Sequence, residues 1–174
     1  MKKAILISIR PNWVAKILNG EKTIEIRKTM PKCDLPINVY IYCTKDRKYA
    51  NLINRGGFLT GMVVAKFTLN KVEKINSYFE PEQWYMTRQL CGRKLLEKSC
   101  LSFSKLDDYL FGGDGYAWHI ENLEIFDKPK ELREFNSIKG FTTCEHCLFD
   151  IKTCNCEHCN SLTRAPQSWC YIEV

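Results

Sequence analysis

Lys22, Glu25 and Arg27 stand two and three residues apart in the run Gly20-Glu21-Lys22-Thr23-Ile24-Glu25-Ile26-Arg27-Lys28. From Thr23 to Arg27 polar and apolar residues alternate, which is the period of a half-buried strand. Ile24 and Ile26 then point to a core. Thr23, Glu25 and Arg27 share the other face, and Lys22 sits at the turn before the strand. Two cations and a carboxylate brought together this way can do two kinds of chemistry. They can hold an anion, the cations gripping phosphate groups. They can also serve a hydrolase, with Lys22 and Arg27 stabilising a transferring phosphate while Glu25 or His119 moves a proton. The plainest alternative is a solvated strand with a Glu25–Arg27 ion pair.

A second constellation lies near the C-terminus. The quartet Cys-Glu-His-Cys occurs at 144–147 and again at 156–159, with eight residues between the copies. Two Cys-x-x-Cys knuckles, each offering two thiolates, are the usual parts of a tetrahedral Zn²⁺ site. The expected ligands are Cys144, Cys147, Cys156 and Cys159. Cys154 can take the place of Cys156, and His146 and His158 stand in reserve. An iron–sulfur cluster would use the same four thiolates. A closed four-thiolate site leaves no open coordination position, so a single zinc here is expected to be structural. Cys33, Cys43, Cys91, Cys100 and Cys170 read as reduced, largely buried thiols.

The elements that must position these groups can be read from the periodicity. Before the charged strand, Asn12 can cap a two-turn helix whose Trp13, Val14, Ile17 and Leu18 fall on one face. Gly20 stands where a helix ends, at a position that takes positive φ without a Cβ penalty. Ala4 to Ile7 reads as a first strand, Asn38 to Cys43 as a strand buried on both faces, and Phe58 to Asn70 as a long strand with Gly61 near its start. Residues 78–112 read as a helical insertion, with Ser104 capping a helix that stops at Gly112-Gly113, and with aromatics that belong to a core. Gly115 to Phe126 returns to strand, Pro129 ends it, and Trp169 to Val174 closes the chain as a last strand.

Composition sets the partners. The 174 residues carry 45% hydrophobic side chains and a net charge of +6, enough for one globular domain. The first 33 residues hold eight basic and two acidic side chains, so the whole excess lies in the segment bearing Lys22 and Arg27, and the remainder balances. A localised positive field favours an anionic partner, nucleic acid first among them. No apolar run is long enough for a membrane span or a signal-peptide core, so a cytoplasmic protein without membrane association is expected.

The pattern Gly20-x-Lys22-x-x-Glu25-x-Arg27, preceded by a short amphipathic helix and followed by Lys28, resembles the signature of the ASCH family in the PUA-like superfamily. The resemblance continues through Val39-Tyr40-Ile41-Tyr42, Gly61-Met62-Val63-Val64, Gly115-Tyr116-Ala117-Trp118-His119-Ile120 and Pro166-Gln167-Ser168-Trp169-Cys170. It implies an α+β fold: a small PUA-like β-barrel with an N-terminal helix, forming a single domain over residues 1–174. The helical insertion at about 78–112 and a cysteine-rich zinc-binding segment at about 141–165 would be additions to that domain. It also implies a protein that binds RNA, a nucleotide or a modified base, with Arg10, Lys22, Arg27 and Lys28 on the nucleic acid. A ribonuclease or N4-acylcytidine amidohydrolase on the same cleft is the alternative, with Lys22, Glu25 and Arg27 as its catalytic groups. The amidohydrolase branch has a threonine where this chain has Glu25, and a carboxylate touching Lys22 would favour anchoring over attack. A zinc-stabilised interaction module is the third reading.

Overall fold

The computed structural model describes residues 2–45, 60–75, 93–138 and 161–174. They group into two compact units. The first comprises Met1–Val14, Ile37–Phe67 and Leu123–Val174, the second Ala15–Pro36 and Thr68–Asn122. Among the described residues the strands form two sheets rather than the single closed barrel expected from the resemblance. The pairing partners come from distant parts of the chain, which strand-length patterning does not reveal.

The first unit is organised around β1 (Lys3–Ile9), which pairs in parallel with β3 (Ile37–Cys43) and antiparallel with β9 (Trp169–Glu173). β4 (Val63–Leu69), β7 (Glu121–Lys130) and β8 (Asn136–Ser137) complete the sheet in the order β7-β4-β3-β1-β9-β8. A central strand flanked on both sides must be apolar throughout, and Ala4 to Ile9 is buried without a break. On one face Ala4, Leu6, Tyr42, Val63, Phe135, Leu162 and Ile172 pack into a core, with Tyr40 set edge-on to Phe135 at 5.1 Å between ring centres. The strand over Glu121–Lys130 runs through Pro129 instead of ending there. It lies at the sheet edge, where a residue without an N–H removes no ladder hydrogen bond.

Helix α1 (Pro11–Leu18) begins two residues earlier than the sequence suggests. The Arg10 carbonyl accepts from the N–H groups of both Trp13 and Val14 at 3.0 Å, so Asn12 lies inside the first turn instead of capping it. Pro11 fits there because its missing donor is one that a helix start leaves unpaired anyway. Gly20 has φ of +76°, and nothing stands near where a side chain would be, so the backbone conformation alone requires glycine.

The second unit holds a three-stranded sheet in the order β2-β6-β5, built from β2 (Ile24–Arg27), β5 (Val72–Ile75) and β6 (Gly115–His119). Two helices, α2 (Arg93–Ser99) and α3 (Phe103–Leu110), supply Leu95, Leu96, Leu106 and Leu110, which pack with Ile24, Ile26, Ile75 and Ala117. α3 is capped by Ser102, whose hydroxyl accepts from the Lys105 N–H, two residues before the expected Ser104. Both helices fall within the expected insertion, and its first part, together with residues 139–160, lies outside the described residues. No helix among the described residues is long and apolar enough to cross a membrane.

Candidate nucleic-acid interface

β2 does what its alternation dictates. Ile24 and Ile26 enter the core, and Glu25 and Arg27 lie on the opposite face with Lys22 just before the strand. Glu25 stands between the two cations: one carboxylate oxygen is 3.2 Å from the Lys22 ammonium and the other 3.2 Å from the Arg27 guanidinium. The side chains of all three are at most 10% exposed. The expected solvated ion pair is therefore a buried cluster, where charges interact far more strongly than they would at a surface.

Lys22 is fixed more tightly than its two neighbours suggest. Its ammonium also donates to the Ile24 and Ser99 carbonyl oxygens, each at 2.8 Å. Ser99 ends α2, and the last carbonyls of a helix have no partner within it and carry the negative end of the helix dipole. Lys22 thus closes a helix that lies 77 residues further along the chain. Backbone bonds seal the same junction, from the Thr23 N–H to the Lys98 carbonyl at 2.9 Å and from the Ile120 N–H to the Thr23 carbonyl at 2.9 Å. Nothing local in the sequence points to Ser99 as a partner of Lys22.

Register decides which other residues share the charged face. β2 and β6 are antiparallel, with Glu25 opposite Trp118, Arg27 opposite Tyr116 and Ile24 opposite His119. Directly opposed residues project to the same side of a sheet. Tyr116 and Trp118 therefore flank the cluster, while His119 lies on the other face with Ile24. There its imidazole meets the Glu73 carboxylate at 2.9 Å. His119 is not brought to Glu25, and an acid–base pair of the two is not formed. Tyr116, half-buried beside Arg27, is a site residue that the sequence reading did not single out; the alternation around Trp118 was the available signal.

The remaining candidates divide. Lys28 is exposed one residue past β2, its ammonium 5.5 Å from the centre of the Tyr109 ring. Arg10 is exposed and belongs to the first unit, at the junction of β1 and α1. Cys144, Cys147, Cys156 and Cys159 lie outside the described residues, and no group of three or more possible metal ligands occurs among the described ones. The chain on either side of that segment is described, however. Asn136 bridges to Ser161, and the Leu162 N–H donates to the Phe135 carbonyl at 2.8 Å. Of the thiols expected to be buried, Cys43 is fully so, and burial pushes its pKa up to about 11. Cys33, Cys100 and Cys170 are only half-buried.

A model of the ASCH domain family matches residues 7–133 of the sequence. No curated protein matches it. Among solved structures, an ASCH protein from Zymomonas mobilis superposes with a TM-score of 0.61 at 17% identity, over 98% of this chain and 87% of that one. A tyrosine-to-phenylalanine variant of the Zymomonas mobilis protein gives 0.55 at 18% identity, over 99% and 91% of the two chains. A serine-to-alanine variant gives 0.56 at 17% identity, over 98% and 88%. At these identities the likeness is one of fold.

Proposed function

The chain belongs to the ASCH domain family, and from that premise we propose that it binds RNA or a nucleotide on the β2–β6 face that carries Arg27. The observation behind this reading is the position of Glu25 between Lys22 and Arg27. The carboxylate holds the Arg27 guanidinium in one orientation beside Tyr116, and Lys28 stands exposed at the strand end. A fixed guanidinium for phosphate and an adjacent ring for stacking are the two parts that single-stranded recognition needs. Lys28 adds exposed positive charge for the backbone.

The same geometry weighs against an amidohydrolase that uses Lys22. A nucleophilic amine must be neutral and turned to its substrate. Here the nitrogen faces three acceptors within 3.2 Å, a role that suits an ammonium anchor. Binding is therefore the favoured reading over hydrolysis.

Zinc enters as a structural element of the same protein. The donor set of Cys144, Cys147, Cys156 and Cys159 suits a tetrahedral four-thiolate site. The described ends of the segment, at Phe135–Ser137 and Ser161–Leu162, are paired with each other. A segment that leaves and returns at one place can be closed by a metal in place of a core of its own.

The deciding experiment measures binding of mixed-sequence single-stranded RNA across a salt series for wild type, Arg27→Gln and Lys28→Ala. Each variant should bind more weakly and lower the salt slope by about one unit, as loss of one phosphate contact requires. Equal affinity and slope in wild type and both variants would reject the interface. In parallel, RNA and N4-acetylcytidine incubated with the protein should be recovered intact by mass spectrometry. Fragments or free cytidine that vanish with Lys22→Ala would establish the hydrolase instead.

A further inference from the structure

The first unit contains a cleft of about 1200 Å³, lined by residues other than those of the β2–β6 face. Three of the stretches that form its wall contribute a cation each: Lys45 just past β3, Arg133 from the 3-10 turn Leu132–Glu134, and Arg164 from the segment leading into β9. The one carboxylate among the described residues lining it, Glu131, is held by the Arg133 guanidinium at 2.8 Å. Among the described residues, three positive charges against one negative therefore meet in a concave site, where field lines are focused and anions are drawn in. Cations scattered for solubility have no reason to converge from three segments.

Two further features show that the cleft is built. Gly61 has φ of +86°, and a Cβ there would lie 2.8 Å from Cε of Lys45 and 3.1 Å from its Cγ. The lysine stem lies against Gly61 and so runs along the wall, while the positive φ is what calls for glycine there. Tyr42 lines the cleft while remaining 94% buried within the sheet. Burial raises the pKa of its phenol, which keeps the hydroxyl a donor at neutral pH.

We propose that this cleft is a separate binding site for a ligand carrying two or more phosphate groups, gripped by Lys45, Arg133 and Arg164. Its residues are not those of the β2–β6 face, and the assignment stands whether or not RNA binds there. The cleft exceeds the ordinary range for small-molecule sites of about 300–1000 Å³, so it accommodates a ligand larger than a mononucleotide. Among the described residues lining it, three are cations and Tyr42 is the one aromatic, so phosphate is the group this wall is equipped to recognise.

The test uses inorganic tripolyphosphate and a 5′-phosphorylated dinucleotide, titrated calorimetrically into wild type, Lys45→Gln/Arg164→Gln and Arg27→Gln. The double variant should lose about tenfold or more in affinity for tripolyphosphate, as removal of charge-assisted hydrogen bonds requires, and Arg27→Gln should retain it; dinucleotide binding that Arg27→Gln alone removes belongs to the β2–β6 face. Unfolding midpoints confirm that the variants are folded; both substituted residues are exposed, and Arg133→Gln is a third position to test. Binding of only one probe, lost in the double variant, supports the site and identifies the form in which its phosphates come. Failure of wild type to bind either probe, or equal binding by the double variant, overturns it.

Discussion

The Lys22 ammonium donates to the Ser99 carbonyl oxygen at 2.8 Å, so a residue of the family signature closes the C-terminal end of α2. Lys22 and Ser99 are 3% and 0% exposed. A charge placed there has been taken out of water, and its carboxylate and carbonyl partners must make up for that. The signature lysine is thus part of what holds β2 to the helices that cover it.

Removing it should show as lost stability. Lys22→Met keeps the stem and deletes the charge, leaving the Ile24 and Ser99 carbonyls without this donor and Glu25 with Arg27 but not Lys22. A loss of about 3 kcal/mol is expected in urea unfolding. A loss below about 1 kcal/mol would mean that the lysine is not the fixed anchor its contacts describe.

The Glu73 carboxylate should report on acid. Hydrogen bonds from Lys71 and then from His119 hold its pKa below the ordinary 4.5. A lowered folded-state pKa contributes stability that is present above the ordinary value and drains away as pH falls through the lowered one. Glu73→Gln should therefore destabilise the protein at about pH 7, and the difference should shrink as pH falls through the lowered value. The side chain is 46% exposed, so the difference should be about 0.5 kcal/mol or less. Thermal midpoints of the two proteins across pH check it, and a difference that grows towards acid would contradict the assignment.

Local pattern made much of this fold legible. The alternation at Ile24-Glu25-Ile26-Arg27 set which residues face the core, Gly20 marked the end of α1, and the apolar run around Ile5 marked a strand enclosed on both sides. What stayed hidden was pairing over distance. The Lys22–Ser99 bond, the register that places Tyr116 rather than His119 beside the charged cluster, and the division into two sheets all depend on contacts far apart in sequence. The cleft of Lys45, Arg133 and Arg164 escaped for the same reason, since each cation sits alone in its own segment. β5 also went unread, because Val72-Glu73-Lys74-Ile75 is too short and too charged to announce a strand.

The cysteine quartets predict a metal. Elemental analysis should find about one zinc per chain, the ratio that four thiolates around one ion require. Stripping it with a chelator should lower the thermal midpoint, and added Zn²⁺ should restore it. A folded, metal-free preparation whose stability is indifferent to zinc would remove the site, and visible absorption with bound iron would replace zinc by a cluster.

Phe111 offers a test in the opposite direction. It ends α3 in the left-handed region, at φ 44° and ψ 55°, with its N–H donating to the Asp107 carbonyl at 2.7 Å. A residue with a Cβ pays about 1 kcal/mol for that conformation, and glycine is the usual occupant of such a cap. The ring gains nothing in return by packing, because Phe111 is 88% exposed. Phe111→Gly should therefore raise stability by about 1 kcal/mol. Phe111→Asn should give part of that gain, since asparagine tolerates the left-handed region, and Phe111→Ala should change little, since it removes the ring and keeps the strain. Urea midpoints in the order glycine, asparagine, alanine would assign the effect to the backbone. A Phe111→Gly protein less stable than wild type would show instead that the ring itself contributes to the fold.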